Sequence, residues 1–113
     1  VRDTALSRRV KQMHSYRCQV AECKYVLQLP DGSYYAEGHH IRPLGHPHDG
    51  HDKLSNILCL CPNHHAEFDL GVATISLSAL HQIEGHTIGS EYVAYHNQHI
   101  HGASEEDADP IEL

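Results

Sequence analysis

The stretch GHHIRPLGHPHDGHDKLSNILCLCPNHHAEFD, residues 38–69, decides how this chain is read. It holds seven of the thirteen histidines and two of the four cysteines. A hydrophobic core has little use for so many imidazoles, because each needs a hydrogen-bond or metal partner once taken out of water. The residues between them give a frame. From His39 to about Lys53, Gly, Pro and His predict a loop; the apolar NILCL then reads as a short strand, and Pro62 stands at the favoured first position of a helix.

Outward from this centre the pattern continues on both sides. Asp3 or Thr4 can cap a helix through about Met13, with Ala5, Leu6 and Val10 as its apolar stripe. KYVLQLPDGSYYAEG reads as a hairpin, since β-prone residues flank a Pro-Asp-Gly-Ser turn. After Gly71, ATISL and HQIEGHTI are expected to be strands, and Ser90 to cap a helix through EYVAYHNQHI. GASEEDADPIEL is acidic and poor in apolar residues, so residues 103–113 are expected to form a disordered tail on a domain spanning 1–102. No internal repeat is present.

With 113 residues the chain has room for about one domain and one core. It opens with Val1 and not Met, which is read as the start of a segment of a longer protein, and it shows neither a signal peptide nor an apolar run able to cross a bilayer. The cysteines sit among histidines at short spacings, a pattern of metal ligation in a reducing compartment more than of secreted disulfides, so a cytoplasmic location is expected.

A net charge of −7 argues against a nucleic-acid binder until it is divided along the chain. Glu105, Glu106, Asp107, Asp109 and Glu112 crowd the C-terminus, whereas the first 24 residues carry Arg2, Arg8, Arg9, Lys11, Arg17 and Lys24 against Asp3 and Glu22. That local basic segment can contact phosphates, with a plain solvated helix face as the competing reading.

Two metal sites can be drawn. Cys18 and Cys23 (CQVAEC) with Cys61 and His64 (CPNH) offer three thiolates and an imidazole, a donor set suited to a closed, structural tetrahedral zinc that ties the basic segment to the centre. The alternative is a set of isolated buried thiols. Cys59 shares strand parity with Cys61, yet zinc needs no fifth ligand, and a small core residue is the expectation.

The second site draws on His39, His40, Asn56 and His65. YAEGHHIRPLGHPHDGHDKLSNILCLCPNHHAEFDLG resembles the HNH endonucleases, whose ββα-metal motif runs from a strand ending in His, through a loop to an Asn, to a helix bearing the last His. EGHHIRPLG followed by NILCLCPNHHAEFD is similar to the HNH domains of modification-dependent restriction enzymes, which follow a modified-base-reading domain. The resemblance implies an α+β domain with a central ββα-metal motif and cleavage of double-stranded DNA to 5′-phosphate and 3′-hydroxyl ends. It also implies His40 as general base, His65 as ligand of a catalytic divalent cation such as Mg2+ or Mn2+, and Asn56 as the residue that fixes the loop. His39 is a second candidate ligand, and Asp69, one turn beyond His65, can complete or support the site or serve only as a surface hydrogen-bonding group.

The residue types fit that chemistry on their own terms. A neutral imidazole can take a proton near neutral pH, and a cation held by two or three protein ligands keeps positions open for phosphate oxygens. Adjacent histidines on an extended strand face opposite ways, so His39 and His40 are expected to share a site only through a turn of the backbone, which Gly38 and the following loop permit. Arg42 is expected to brace the scissile phosphate and Lys53 a neighbouring one, against the plainer reading of ion pairs with Asp49 or Asp52. His46, His48 and His51 are expected to be solvated or phosphate-facing, and His14 exposed.

No base-reading pocket can be argued from one Phe, six scattered Tyr and no Trp, so recognition of a modified base is assigned to an upstream domain. One active site cuts one strand, and a double-strand break needs a homodimer or two visits. A non-catalytic zinc module that binds nucleic acid or protein is the alternative function; the full His-Asn-His order exceeds what such a module requires. Deleting residues 103–113 should strengthen non-specific duplex binding in a low-salt titration, because five negative charges competing with phosphate are removed. Unchanged affinity would place the tail away from the DNA face.

Overall fold

Thr4 starts the first helix, α1 (Ala5–Met13), by accepting a hydrogen bond from the Ser7 amide at its side-chain oxygen. In this computed structural model residues 3–102 are described, so the acidic tail expected over 103–113 lies outside the described residues. A hairpin follows, β1 (Leu27–Gln28) against β2 (Tyr34–Tyr35), closed by Asp31, whose carboxylate accepts from the Ser33 amide and hydroxyl. The central pair is β3 (Glu37–His40) and β4 (Ile57–Leu60), antiparallel, with Gly38 opposite Cys59, His39 opposite Leu58 and His40 opposite Ile57. Helix α2 (Pro62–Asp69) follows β4 directly, and α3 (Ser90–Tyr95) continues into a π-helical turn, His96–His101.

The β3–β4 pair lies between two apolar layers. On one face Val10 of α1 packs with Ala36, Ile57 and Cys59. On the other, Leu58 and Leu60 meet Phe68 of α2, Tyr92 and Val93 of α3, and Ile41, Ile75, Leu80 and Ile88. Gly38 lets α1 lie close on β3, because a Cβ there would come within 2.7 Å of the Ser7 Cβ. Buried Gln19 covers the free edge of β4, its backbone amide bonding the Cys59 carbonyl and its side-chain oxygen the Cys59 amide.

The architecture is α+β, and several expectations need correction. The strand β3 runs through His39 and His40, so the loop begins at Ile41 and no turn occurs at Gly38. ATISL is not a strand: the Asn97 side chain bonds both the amide and the carbonyl of Ile75, at 2.8 and 2.9 Å, taking the place of a ladder. HQIEGHTI holds only an isolated Ile83–His86 bridge over a turn in which Gly85 has φ +88°. The last helix is preceded by Gly89, with Ser90 already inside it. Among the described residues no helix is long and apolar enough to cross a membrane.

His14, expected to be exposed, ends α1 half-buried, with Nε2 2.7 Å from Nδ1 of fully buried His86. His86 Nε2 lies 2.8 Å from the Leu54 carbonyl, which can only accept, so His86 carries its proton on Nε2 and His14 donates to Nδ1. Burial, with His86 and His81 nearby, pulls His14 down to about 4. Above the unfolded value of about 6.5 the group is neutral in both states; as pH falls toward the folded value the unfolded chain alone takes up the proton, and stability is lost. Thermal melts should show this acid-side loss flattened in His14→Ala, together with a lower Tm at about pH 8, where the bond to His86 is intact in the parent.

Candidate functional site

Cys61 follows β4 and caps α2, its sulfur accepting from the His64 amide at 3.4 Å. This turn brings Cys61 and His64 to Cys18 and Cys23, and the four donor atoms all lie within 4.8 Å of one another. The sulfurs of Cys23 and Cys61 are 3.7 Å apart, and Cys18 Sγ is 3.6 Å from His64 Nδ1. A tetrahedral zinc with Zn–S bonds of about 2.3 Å spaces two sulfurs by about 3.8 Å, so this cluster has the dimensions to hold the ion. Burial pushes the Cys18 thiol up to about 12 and raises Cys61 as well, so the protein alone keeps them protonated and metal binding releases protons. Cys59 lies in the other core layer, against α1: the strand ends at Leu60, so parity does not carry over to Cys61.

A second cluster forms where β3 meets α2. His65 and Asp69 stand one turn apart on α2, and the His39 ring sits 5.0 Å from the His65 ring, nearly perpendicular to it. A donor atom from each of His39, His65 and Asp69 falls within 4.8 Å of the others. Both nitrogens of His65 and Nε2 of His39 are buried without a hydrogen-bond partner. Unpartnered imidazole nitrogens are costly to bury, and a divalent cation held by one nitrogen of each ring and the Asp69 carboxylate would relieve part of that cost, so the residues present fit such an ion. Burial, reinforced by His65, His96 and His40, holds His39 down at about 3, which keeps it neutral with a lone pair to donate.

His40 points to the α1 side of the ladder, yet it borders the same cavity of about 200 Å³ as His39, His65 and Asp69, which residues 43–45 of the loop also line. Its Nε2 lies 2.8 Å from Asp52 Oδ1. A carboxylate oxygen accepts, so the proton is on Nε2 and Nδ1 is left with the lone pair. Asn56 is fully buried and pins the loop at three points: its Oδ1 accepts from the Arg42 amide, and its Nδ2 donates to the carbonyls of Arg42 and His51. Gly50 closes the same loop, its amide on the Pro43 carbonyl at 2.7 Å.

The cationic candidates are more scattered. Arg42 makes no ion pair with Asp49 or Asp52; its guanidinium stacks 4.3 Å over the Tyr95 ring and donates to the His48 carbonyl. His48 in turn meets the Tyr95 hydroxyl at 2.6 Å, so this loop histidine is tied to α3 and not simply solvated. Lys53 is exposed just ahead of a 3-10 turn, Leu54–Asn56. On α1, Arg8 and Lys11 pair with Asp3, Arg9 is exposed, and Arg17 lies 6.0 Å from the Tyr34 ring. Sequence reasoning missed Asp52 and Tyr95 as neighbours of the site. For Asp52 the only signal was a carboxylate shortly before the Asn.

A family model for HNH endonucleases matches residues 18–76. Among solved structures, one described as "Modification dependent TagI restriction endonuclease" is similar, with 37% identity and a TM-score of 0.76 over 88% of this chain. The match spans 39% of that protein's chain. No curated protein matches the chain.

If the Cys3His cluster is a zinc site, metal analysis should find about one zinc that resists mild chelation, and Cys61→Ser should lose both the ion and the cooperative melt, because zinc binding and folding are coupled. A well-folded, zinc-free Cys61→Ser protein would show that this cluster does not hold the fold together.

Proposed function

We propose that this chain, which belongs to the HNH endonuclease family, hydrolyses phosphodiester bonds in double-stranded DNA, with His40 as general base. The observation that carries the reading is one cavity lined by His39, His40, His65 and Asp69, with Nε2 of His39 and both nitrogens of His65 buried and unpartnered beside it. His39, His65 and Asp69 would hold a divalent cation, Mg2+ or Mn2+ for instance. Bound there, the cation supplies Lewis-acid stabilisation of charge on the phosphate and on the leaving 3′ oxygen.

The protein's own groups do the rest. His40 Nδ1, free to accept, takes the proton of the attacking water, while the Nε2 proton stays directed at Asp52. Asn56 holds the loop so that His40 and the phosphate approach keep their geometry. Arg42 and Lys53 border the loop and can meet flanking phosphates, and Arg8, Arg9, Lys11 and Arg17 add a salt-sensitive contribution to DNA affinity. The Cys18, Cys23, Cys61 and His64 cluster holds a structural zinc away from the chemistry.

The neighbour's description names modification dependence, and more than half of that protein lies outside the match. We therefore assign choice of modified DNA to a reader domain elsewhere in the full protein; one active site cuts one strand, so a double-strand break needs two copies or two visits.

The test uses plasmid DNA, both unmodified and carrying hydroxymethylated cytosine, with magnesium or manganese. His40→Ala should lose about 100-fold or more in cleavage while keeping zinc content and DNA affinity. His65→Ala should also lose activity, but with a raised half-saturating metal concentration that excess metal partly offsets. Full activity of His40→Ala sinks the base assignment; a wild-type protein that binds these DNAs and cuts none of them favours a non-catalytic binding module.

A further inference from the structure

We propose that Asp52 is a positioning residue for His40, fixing the ring and its tautomer so that Nδ1 is the nitrogen that receives the proton. The inference rests on the general-base reading of His40 above and adds a residue to it. The Asp52–His40 contact is 2.8 Å, and the two side chains are 35% and 8% exposed, so the bond is partly sheltered from competing water. Among the described residues no other hydrogen bond to the His40 ring is made. In the opposite tautomer Nδ1 would carry a proton, and the attacking water would have nowhere to send its own. With the carboxylate on Nε2, the water proton passes to Nδ1, the Nε2 proton remains on the ring, and Asp52 stays ionised beside the charge the ring acquires.

Asp52 is itself held from two directions. Thr4 Oγ1 donates to the same Oδ1 at 3.0 Å while accepting from the Ser7 amide at 3.1 Å, so the N-terminal cap of α1 and the base share one line of hydrogen bonds. On the loop side, Asn56 grips both neighbours of Asp52: its side chain bonds the His51 carbonyl at 2.8 Å and its amide the Lys53 carbonyl at 2.9 Å. A carboxylate whose flanking peptides are both anchored has little freedom to leave the ring. This gives Asn56 a second consequence, since the residue that shapes the loop also sets where Asp52 stands.

Two measurements test this on the zinc-loaded protein. In plasmid cleavage, Asp52→Ala and the near-isosteric Asp52→Asn should lower kcat about 10- to 100-fold, with KM, zinc content and the half-saturating metal concentration within about twofold of wild type, and Asp52→Glu should recover more activity than Asp52→Asn. In nitrogen-15 spectra at about pH 8, with His40 assigned by its loss in His40→Ala, the ring should carry its proton on Nε2 alone in wild type and become a tautomer mixture in Asp52→Ala. If both Asp52→Ala and Asp52→Asn cut within about threefold of wild type while His40→Ala is inactive, the positioning role is overturned and the general base stands. A wild-type His40 protonated on Nδ1, or a tautomer unchanged in Asp52→Ala, overturns it as well. Cleavage by His40→Ala at the wild-type rate removes the base assignment itself and Asp52's role with it.

Discussion

Two strands of four residues, β3 and β4, cannot hold together in water by their own hydrogen bonds, so the pair exists only because both of its faces are covered. That constraint fixes the register. With Gly38 opposite Cys59, Ile57 and Cys59 turn toward α1 and Leu58 and Leu60 toward α2 and α3. A slip of one residue in β4 would put Leu58 where Val10 packs and carry Ile57 and Cys59 to the opposite face. The same alternation sorts the two adjacent histidines: His39 goes to the His65 side and His40 to the Asp52 side. A strand, and not a turn, separates the two imidazoles, and one cavity at the edge of the sheet is lined by both residues.

Helix α2 serves both clusters because consecutive helical residues point about 100° apart. His64 turns back to Cys18 and Cys61, and His65 turns to His39. The Cys61 cap fixes where the helix starts relative to β4, so the sulfur cluster sets the depth at which His65 and Asp69 meet β3. The Cys3His cluster and the His39–His65–Asp69 cluster are mechanically joined through two turns of helix, although their side chains are distinct.

The loop between β3 and β4 depends on partners far away in sequence. Asn56 closes it from beneath, Tyr95 receives Arg42 and His48 from the C-terminal helix, and the His14–His86 pair supports the Leu54 carbonyl just ahead of Asn56. The C-terminal third, which carries no motif of its own, thereby supports the element on which Asn56 sits.

What the sequence determined by itself was whatever depends on near neighbours. The Thr4 cap, the Pro-Asp-Gly-Ser hairpin, the apolar run NILCL and Pro62 at a helix start are local preferences, and each formed where it was expected. That these residues would cluster was legible because CPNH and the i, i+4 pair His65–Asp69 lie on one short helix. Tertiary structure decided the rest. Whether ATISL became a strand depended on Asn97, 22 positions beyond Ile75. Whether Arg42 met a carboxylate or an aromatic ring depended on where α3 came to lie. Which nitrogen of His40 is free depended on Asp52, whose carboxylate is also held by Thr4, 48 residues before it. A local pattern can supply an imidazole, but its tautomer is set by the hydrogen bond on its far side, and that bond exists only once the chain has folded.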